Sequence, residues 1–126
     1  MTEQQNYAAV VAVMELYVQG LYHADSTKLA DVFHRDARYV NTVEGDYMNY
    51  SVSEYFDVVD RRVSPASQNG TYRDRVLSVE FGNDRMAFVK IEICLSGKKY
   101  LDFLTLYFDE GRWQIISKVF DYQPLT

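Results

Sequence analysis

Residues 100–122 read YLDFLTLYF, then DEGR, then WQIISKVFDY. Two runs rich in aromatic and β-branched residues flank a short acidic turn that contains Gly111, and this pattern predicts a β-hairpin. Few polar residues interrupt either run, so we expect both faces of the hairpin to be covered. Asp102 is the main exception, because an unpaired carboxylate is costly to bury within an apolar strand.

Two further strands are predicted before this hairpin, at residues 72–81 and 85–95, each followed by a turn that contains Gly. Strands joined by such short turns pair in antiparallel fashion. Shorter extended pieces are expected at residues 38–41 and 47–50. The second half of the chain is therefore predicted to form a sheet.

The first half of the chain shows helical periodicity. Apolar residues spaced by three and four predict a first helix over residues 4–22. Asp25 or Ser26 is a suitable N-cap for a second, short helix that is expected to run through residue 33. Residues 34–37 then lead out of this helix.

A third helix is predicted from a capping box, in which Ser51 is followed three residues later by Glu54. It covers about residues 52–63 and is ended by Pro65. Helices followed by strands are typical of an α+β fold, with the helices packed on one face of a curved antiparallel sheet. The length predicts one domain, residues 1–126.

The composition is rich in aromatic residues, which make up 15% of the chain and include 11 Tyr. Tyr combines apolar area with a hydroxyl group that needs a partner. Such an excess suits the lining of a cavity of mixed polarity or an oligomer interface. The alternative is a core and surface that happen to be rich in Tyr.

Charge and motif content argue against several function classes. The net charge of −5 argues against a nucleic-acid partner, because it repels the phosphate backbone. The sequence shows no signal-peptide pattern and no apolar run of about 18 residues, so we expect a cytoplasmic protein without membrane contact. Two His and no HExxH pattern predict no metal site, and the scattered glycines predict no phosphate-binding loop and no cofactor.

The order of elements resembles the nuclear transport factor 2-like (NTF2-like) superfamily, which has a cone-shaped, cystatin-like α+β fold. The similarity lies in the amphipathic first helix, in GLYHAD at residues 20–25, in FHRDA at residues 33–37 and in DEGRWQII at residues 109–116. Asp102 and the W-x-I-x-x-K pattern ending at Lys118 resemble the branch named "putative lumazine-binding", close to the SnoaL-like proteins. The resemblance implies a pocket at the open end of the sheet, usually in a dimer.

Two groups of enzymes in this superfamily provide comparisons for the site. Similarity to the ketosteroid isomerases places Tyr17 where that family has its oxyanion-hole tyrosine, and Asn41 at or next to its base aspartate. An amide cannot take a proton from carbon, so the isomerase mechanism loses its base here. The SnoaL-like cyclases and the dehydratase-type members use His/Asp pairs, and His34 with Asp102 is such a pair only if the fold brings them together.

Asp102 has two interpretations. It is either a pocket acid whose pKa is raised by apolar walls, or a carboxylate paired with Lys118 or Arg112 on the neighbouring strand. If Phe108 pairs with Trp113 and the register continues without interruption, Asp102 lies beside Val119. A shift of one residue places it beside Lys118. His34 is either a base or a residue at a helix end, where the helix dipole stabilises a cation.

The remaining candidates are ligand-binding residues. Tyr17, Tyr39 and Tyr55 either donate hydroxyl hydrogen bonds to a ligand or pack in the core. Trp113 either contacts a ligand or belongs to the core. Lys118 either binds a carboxylate or enolate, pairs with Asp102, or lies on a solvated face.

Three functions remain open from the sequence. The first is a small-molecule-binding domain with a hydrophobic, Tyr-lined pocket. The second is a cyclase, isomerase or dehydratase acting on a hydrophobic carbonyl compound, with Asp102 as the acid-base, Tyr17 and Tyr39 as oxyanion donors and His34 as an auxiliary base. The third is an interaction module that uses the outer sheet face. We expect a homodimer through that face in each case.

Overall fold

Residues 2–125 are the part of the chain that the computed structural model describes, and they form an α+β fold. The helices are α1 (Glu3–Tyr22), α2 (Ser26–Ala30) and α3 (Val52–Asp60), with a single 3₁₀ turn at Pro65–Gln68. The strands are β1 (Phe33–Asn41), β2 (Met48–Ser51), β3 (Arg73–Gly82), β4 (Met86–Leu95), β5 (Lys98–Asp109) and β6 (Arg112–Pro124). The predicted fold class is confirmed.

Local sequence signals determine where the elements begin and turn. The capping box predicted for α3 is present, since the Ser51 side chain accepts from the Glu54 N–H and Glu54 accepts from the Ser51 N–H. Glu110 and Gly111 between β5 and β6 both have positive φ, 53° and 79°. Two such residues are the requirement of a tight hairpin turn, which explains the use of Gly here.

The six strands form one sheet in the order β2-β1-β6-β5-β4-β3. The four strands from β3 to β6 follow one another as antiparallel neighbours, as predicted. β1 pairs with β6 in parallel, because the chain makes its long excursion through α3 and β3 to β5 before it returns to β1. β6 therefore lies in the middle of the sheet, covered on both edges.

The β5–β6 pair contains a bulge. Leu106 is opposite Ile115 and Thr105 is opposite Ser117, so Ile116 is an extra residue in β6. Because side chains alternate across a strand, one extra residue reverses the facing of everything beyond it. Both registers considered from the sequence, which place Val119 or Lys118 opposite Asp102, are therefore wrong beyond the bulge.

The bulge turns the polar end of β6 toward the helices. Beyond it, Asp102 lies opposite Phe120 rather than Val119, and Lys118 lies opposite Leu104. Lys118 is thus a diagonal neighbour of Asp102 on the same face of the sheet. Both side chains are almost fully buried, at 1% exposure for Asp102 and 5% for Lys118.

The predicted ends of the second and third helices are wrong, and the first of these errors changes the element in which a candidate residue lies. α2 ends at Ala30, and His34 lies in β1 rather than at a helix end. The carbonyl of Val32 accepts a hydrogen bond from the Ile115 N–H at 2.7 Å, which draws the chain into the sheet. α3 ends at Asp60, and Pro65 opens the 3₁₀ turn, where its missing N–H costs nothing.

The helices pack over one face of the sheet and form the core with it. The buried side chains of α1 are Asn6, Val10, Met14, Tyr17 and Val18. Tyr7 of the same helix is half exposed, whereas Asn6 is buried and accepts a hydrogen bond from the Trp113 indole at 3.3 Å. Within residues 2–125, no helix combines the length and apolar character needed to cross a bilayer.

Candidate functional site

A cavity of about 320 Å³ lies between the inner face of the sheet and the segment that follows α3. This volume is in the range of small-molecule sites. Its wall mixes aromatic, aliphatic and charged side chains. The lining residues are Leu21, Tyr39, Asn41, Asp46, Met48, Arg62, Val63, Pro65, Ile93, Leu95, Ser96, Lys98, Tyr100, Asp102, Lys118, Phe120 and Tyr122.

Asp102 is the most deeply buried charged group on this wall. Its Oδ2 accepts a hydrogen bond from the Tyr17 hydroxyl at 2.5 Å. Its Oδ1 has no hydrogen-bond partner within residues 2–125. A buried carboxylate oxygen without a partner is costly, which makes it a candidate contact for a ligand.

Lys118 is the cation closest to this carboxylate, with Nζ 3.9 Å from Oδ2 of Asp102. Four aromatic rings surround the ammonium group at 5.0–5.4 Å from Nζ to the ring centroids. These rings belong to Tyr17, Tyr39, Tyr55 and Phe120. Their electron-rich faces stabilise a cation that has been removed from water.

Burial dominates the electrostatics of this group. It raises the pKa of Asp102, although the positive charge of Lys118 and the hydrogen bond from Tyr17 both oppose the rise. Burial and the adjacent Asp102 charge raise the pKa of Tyr17 well above its ordinary value, so Tyr17 is a hydrogen-bond donor. Asp102 is therefore able to exchange a proton closer to neutral pH than an exposed aspartate.

Tyr39 and Tyr55 hold Lys118 in place from the side of β1 and α3. Their rings stack at 4.1 Å between centroids with an angle of 16°. Tyr39 lines the cavity, whereas Tyr55 lies behind it and is fully buried. Burial raises the pKa of Tyr55, and its hydroxyl has no hydrogen-bond partner within residues 2–125.

A second polar group lies on the cavity wall around Asp46. Its Oδ2 accepts hydrogen bonds from the Tyr122 hydroxyl at 2.5 Å and from the Asn41 amide at 2.9 Å. The Tyr122 bond lowers the pKa of Asp46, and the same bond raises the pKa of Tyr122 to about 12. Lys98 lies over the Tyr122 ring, with Nζ 4.5 Å from the centroid.

Arg62 is the third cation on the wall. It follows the C-cap of α3, and its backbone N–H donates to the Val59 carbonyl. Its Nη2 donates to the Tyr39 hydroxyl at 3.4 Å. Within residues 2–125, Arg62 has no carboxylate within ion-pair distance.

His34 and Trp113 lie outside the cavity. Nδ1 of His34 accepts a hydrogen bond from the Asp36 N–H at 3.1 Å, so Nε2 carries the proton that it donates to Asp109 at 2.9 Å. Trp113 packs in the core between Phe81 and Phe108. The structure thus brings Tyr17, Tyr39, Tyr55 and Lys118 to Asp102, and places His34 and Trp113 elsewhere.

The sequence reasoning missed several members of the cavity wall, including Arg62, Asp46 and Lys98. One signal was available, since Lys98, Tyr100 and Asp102 alternate along β5 and must share a face. Asp46 lies in a connecting segment, where no periodicity indicates direction. Arg62 was predicted within the third helix but lies beyond its end at Asp60. The part of the chain described here contains no cluster of three or more His, Cys, Asp or Glu side chains suited to a metal ion.

Comparison with known proteins gives relatives that match almost the full chain. An NTF2-like protein of unknown function from Silicibacter pomeroyi DSS-3 superposes with a TM-score of 0.85 at 27% identity, covering 98% of this chain and 100% of the other. One from Shewanella baltica OS155 has a TM-score of 0.85 at 26% identity, covering 98% of each chain. A ketosteroid isomerase-like protein from Erwinia carotovora atroseptica, at 13% identity and a TM-score of 0.71, shares the fold over 91% of this chain and 94% of its own.

A curated protein, "Aldolase FrzH" from Cladobotryum sp, is 31% identical over 120 residues, which are 94% of this chain and 92% of that protein. The family model described as "Putative lumazine-binding" matches residues 5–121. The chain therefore belongs to the "Putative lumazine-binding" family of the NTF2-like superfamily, as its sequence resemblance predicted.

Proposed function

We propose that this protein is an enzyme of the aldolase type that acts on small molecules and removes a proton from the carbon next to a carbonyl group. The observation that carries the proposal is the position of Asp102. It is buried on the wall of the cavity, one of its oxygens has no protein partner, and burial raises its pKa. A relative of 31% identity that is named an aldolase supports the choice of reaction.

The proposed step uses Asp102 as a proton carrier. Its carboxylate takes the α-proton of a carbonyl compound, and the electron pair left behind gives an enolate. The enolate carbon attacks the carbonyl carbon of a second group, which forms the new carbon–carbon bond. The resulting alkoxide takes the proton back from Asp102, so the product contains all atoms of the two reacting groups and the enzyme is regenerated.

Lys118 supplies the positive charge for the enolate oxygen. An ammonium group held beside the site of developing negative charge stabilises the transition state, and this effect is strong where water is excluded. Four ring faces and a carboxylate around Nζ suit an ammonium ion. A lysine that forms a Schiff base must instead react as a neutral amine, so we assign Lys118 an electrostatic role.

A second candidate is binding of a small molecule without chemical change. It is favoured by the same hydrogen bond and ion pair, because Oδ2 of Asp102 is already engaged by Tyr17 and Lys118. A carboxylate that serves only to hold Lys118 among the rings would shape the cavity without exchanging protons. The two candidates differ in whether a bound ketone loses its α-proton.

The test measures, by NMR in D2O, how fast the α-protons of a panel of aryl ketones exchange with solvent in the presence of the protein. We expect protein-dependent exchange that is abolished in Asp102→Asn and reduced in Lys118→Met. Asp121→Asn is the matched control, because Asp121 is the exposed neighbour of Phe120 on the opposite face of β6. Exchange that survives Asp102→Asn contradicts the enzyme proposal, and ligand-induced stabilisation without any exchange supports the binder.

A further inference from the structure

Two of the three cations around the cavity, Lys98 and Arg62, have no carboxylate within ion-pair distance in residues 2–125. Three cationic and two carboxylate side chains line it. Asp102 lies beside Lys118, and the nearby Lys98 contributes to lowering the pKa of Asp46. Arg62 is the remaining cation, and its only side-chain hydrogen bond within the described residues is the long one to Tyr39.

The geometry of Arg62 suits an anion that enters from solvent. The residue is exposed and yet lines the cavity, so its guanidinium lies at the boundary between the two. A guanidinium has five N–H donors in a planar fork that matches the two oxygens of a carboxylate. Tyr39 takes up one of these N–H groups, which leaves others free for a ligand.

The distance between Arg62 and Lys118 limits the shape of such a ligand. Arg62 contacts the hydroxyl end of Tyr39, whereas Lys118 lies near the ring of the same residue, 5.2 Å from its centroid. The two cations thus approach different parts of one tyrosine side chain. A ligand that reaches both carries its anionic group and its carbonyl oxygen at separate positions.

We infer that the cavity takes keto acids, in which a carboxylate pairs with Arg62 while the ketone lies beside Lys118 and Asp102. The net charge of −5 repels an anion at long range, so selection of an acid depends on this local cation. The binding part of the inference stands independently, whereas turnover of the keto acid rests on the proposed function.

The experiment uses three matched pairs of ligands, namely benzoylpropionate, benzoylbutyrate and acetylphenylacetate, each with its primary amide. Binding to the full chain is measured by calorimetry at low ionic strength. We expect at least one acid to bind about tenfold or more tightly than its amide, the usual size of a charge-assisted hydrogen-bonded contact. Arg62→Ala is expected to remove this preference, and Arg62→Lys to restore part of it.

Arg61→Ala is the matched control, because Arg61 is the preceding exposed arginine and does not line the cavity. It is expected to leave the preference unchanged. The inference is overturned if no acid in the panel binds better than its amide, or if Arg62→Ala retains the preference. Acid preference without α-proton exchange overturns only the proposed reaction, and exchange without acid preference overturns only the inference.

Discussion

Asp102 and Lys118 come together, with 3.9 Å between Oδ2 and Nζ, because β6 contains one extra residue at Ile116. Without that residue, the side of β6 that carries Lys118 would point away from the helices. The bulge thus places the Lys118 side chain on the cavity wall. Bulges often occur next to functional sites, where they redirect a side chain.

The first prediction concerns the pKa of the Asp102 carboxyl group. Burial places it above the ordinary value of 3.8, while Lys118 and then Tyr17 oppose the rise. We expect the pKa to increase further in Tyr17→Phe and to increase most in Lys118→Met. Carbon-13 NMR titration of protein labelled at aspartate carboxyls measures this order, with Asp102→Asn identifying the signal. A wild-type value at or below 3.8 contradicts the prediction.

The second prediction concerns the stability contributed by the ion pair. Lys118→Met leaves the buried carboxylate of Asp102 without its cation, and breaking such a pair costs about 3–5 kcal/mol near neutral pH. The double variant Lys118→Met with Asp102→Asn is expected to recover most of this loss, because neither side chain is then charged. Urea unfolding of the three proteins at one pH measures the difference.

The stability of the same two variants is expected to depend on pH in a defined direction. Lys118→Met raises the pKa of Asp102 in the folded protein, so the folded state binds the proton more tightly than the unfolded state. Its stability must then fall as pH rises from about 3.8 through the raised pKa, relative to the double variant. If the difference in stability between the two variants stays constant across this pH range, Asp102 does not titrate there.

The sequence predicts the fold better than the site, and the reason lies in particular residues. The capping box at Ser51 and the Gly111 turn are local signals that act within a few residues. The bulge has no such signal, because Ile115 and Ile116 are both apolar and either can face the core. Arg62 was missed because α3 ends at Asp60, before the predicted boundary, so the direction of Arg62 is not given by the helical period.

The third prediction concerns His34, for which the sequence left open a role as an auxiliary base. His34 donates to Asp109 and accepts from the Asp36 N–H, away from the cavity. We expect His34→Leu to lower the free energy of unfolding by about 1–3 kcal/mol, because the two hydrogen bonds made by the buried imidazole are lost. We also expect α-proton exchange to remain unchanged in folded protein. Loss of exchange at unchanged stability would contradict this assignment.

The loss of stability in His34→Leu is expected to depend on pH because of Asp109. The hydrogen bond from His34 lowers the pKa of Asp109 below its ordinary value of 3.8. A lowered folded-state pKa contributes stability above 3.8 that is lost as pH falls through the folded value. The difference in the free energy of unfolding between wild type and His34→Leu should therefore become smaller in acid. Asp109→Asn is the control, because it removes the titrating group.

The fourth prediction concerns the outer face of the sheet, where Phe103 is 39% exposed and its β6 neighbour Val119 is 36% exposed. Phe88 on β4 packs edge-on against Phe103, which extends the apolar surface across three strands. We expect a homodimer through this face, because a contiguous exposed apolar surface gains stability when a second copy covers it. Light scattering after size exclusion should report a dimer for the wild type and a monomer for Phe103→Asp.

Tyr7→Asp is the control for this dimer, since Tyr7 is also exposed and aromatic but lies on α1, on the helical side of the sheet. It should remain dimeric. If Tyr7→Asp dissociates the protein while Phe103→Asp does not, the contact between copies uses the helices instead. Because the cavity and the outer face lie on opposite sides of the sheet, a monomeric Phe103→Asp protein should still bind its ligand.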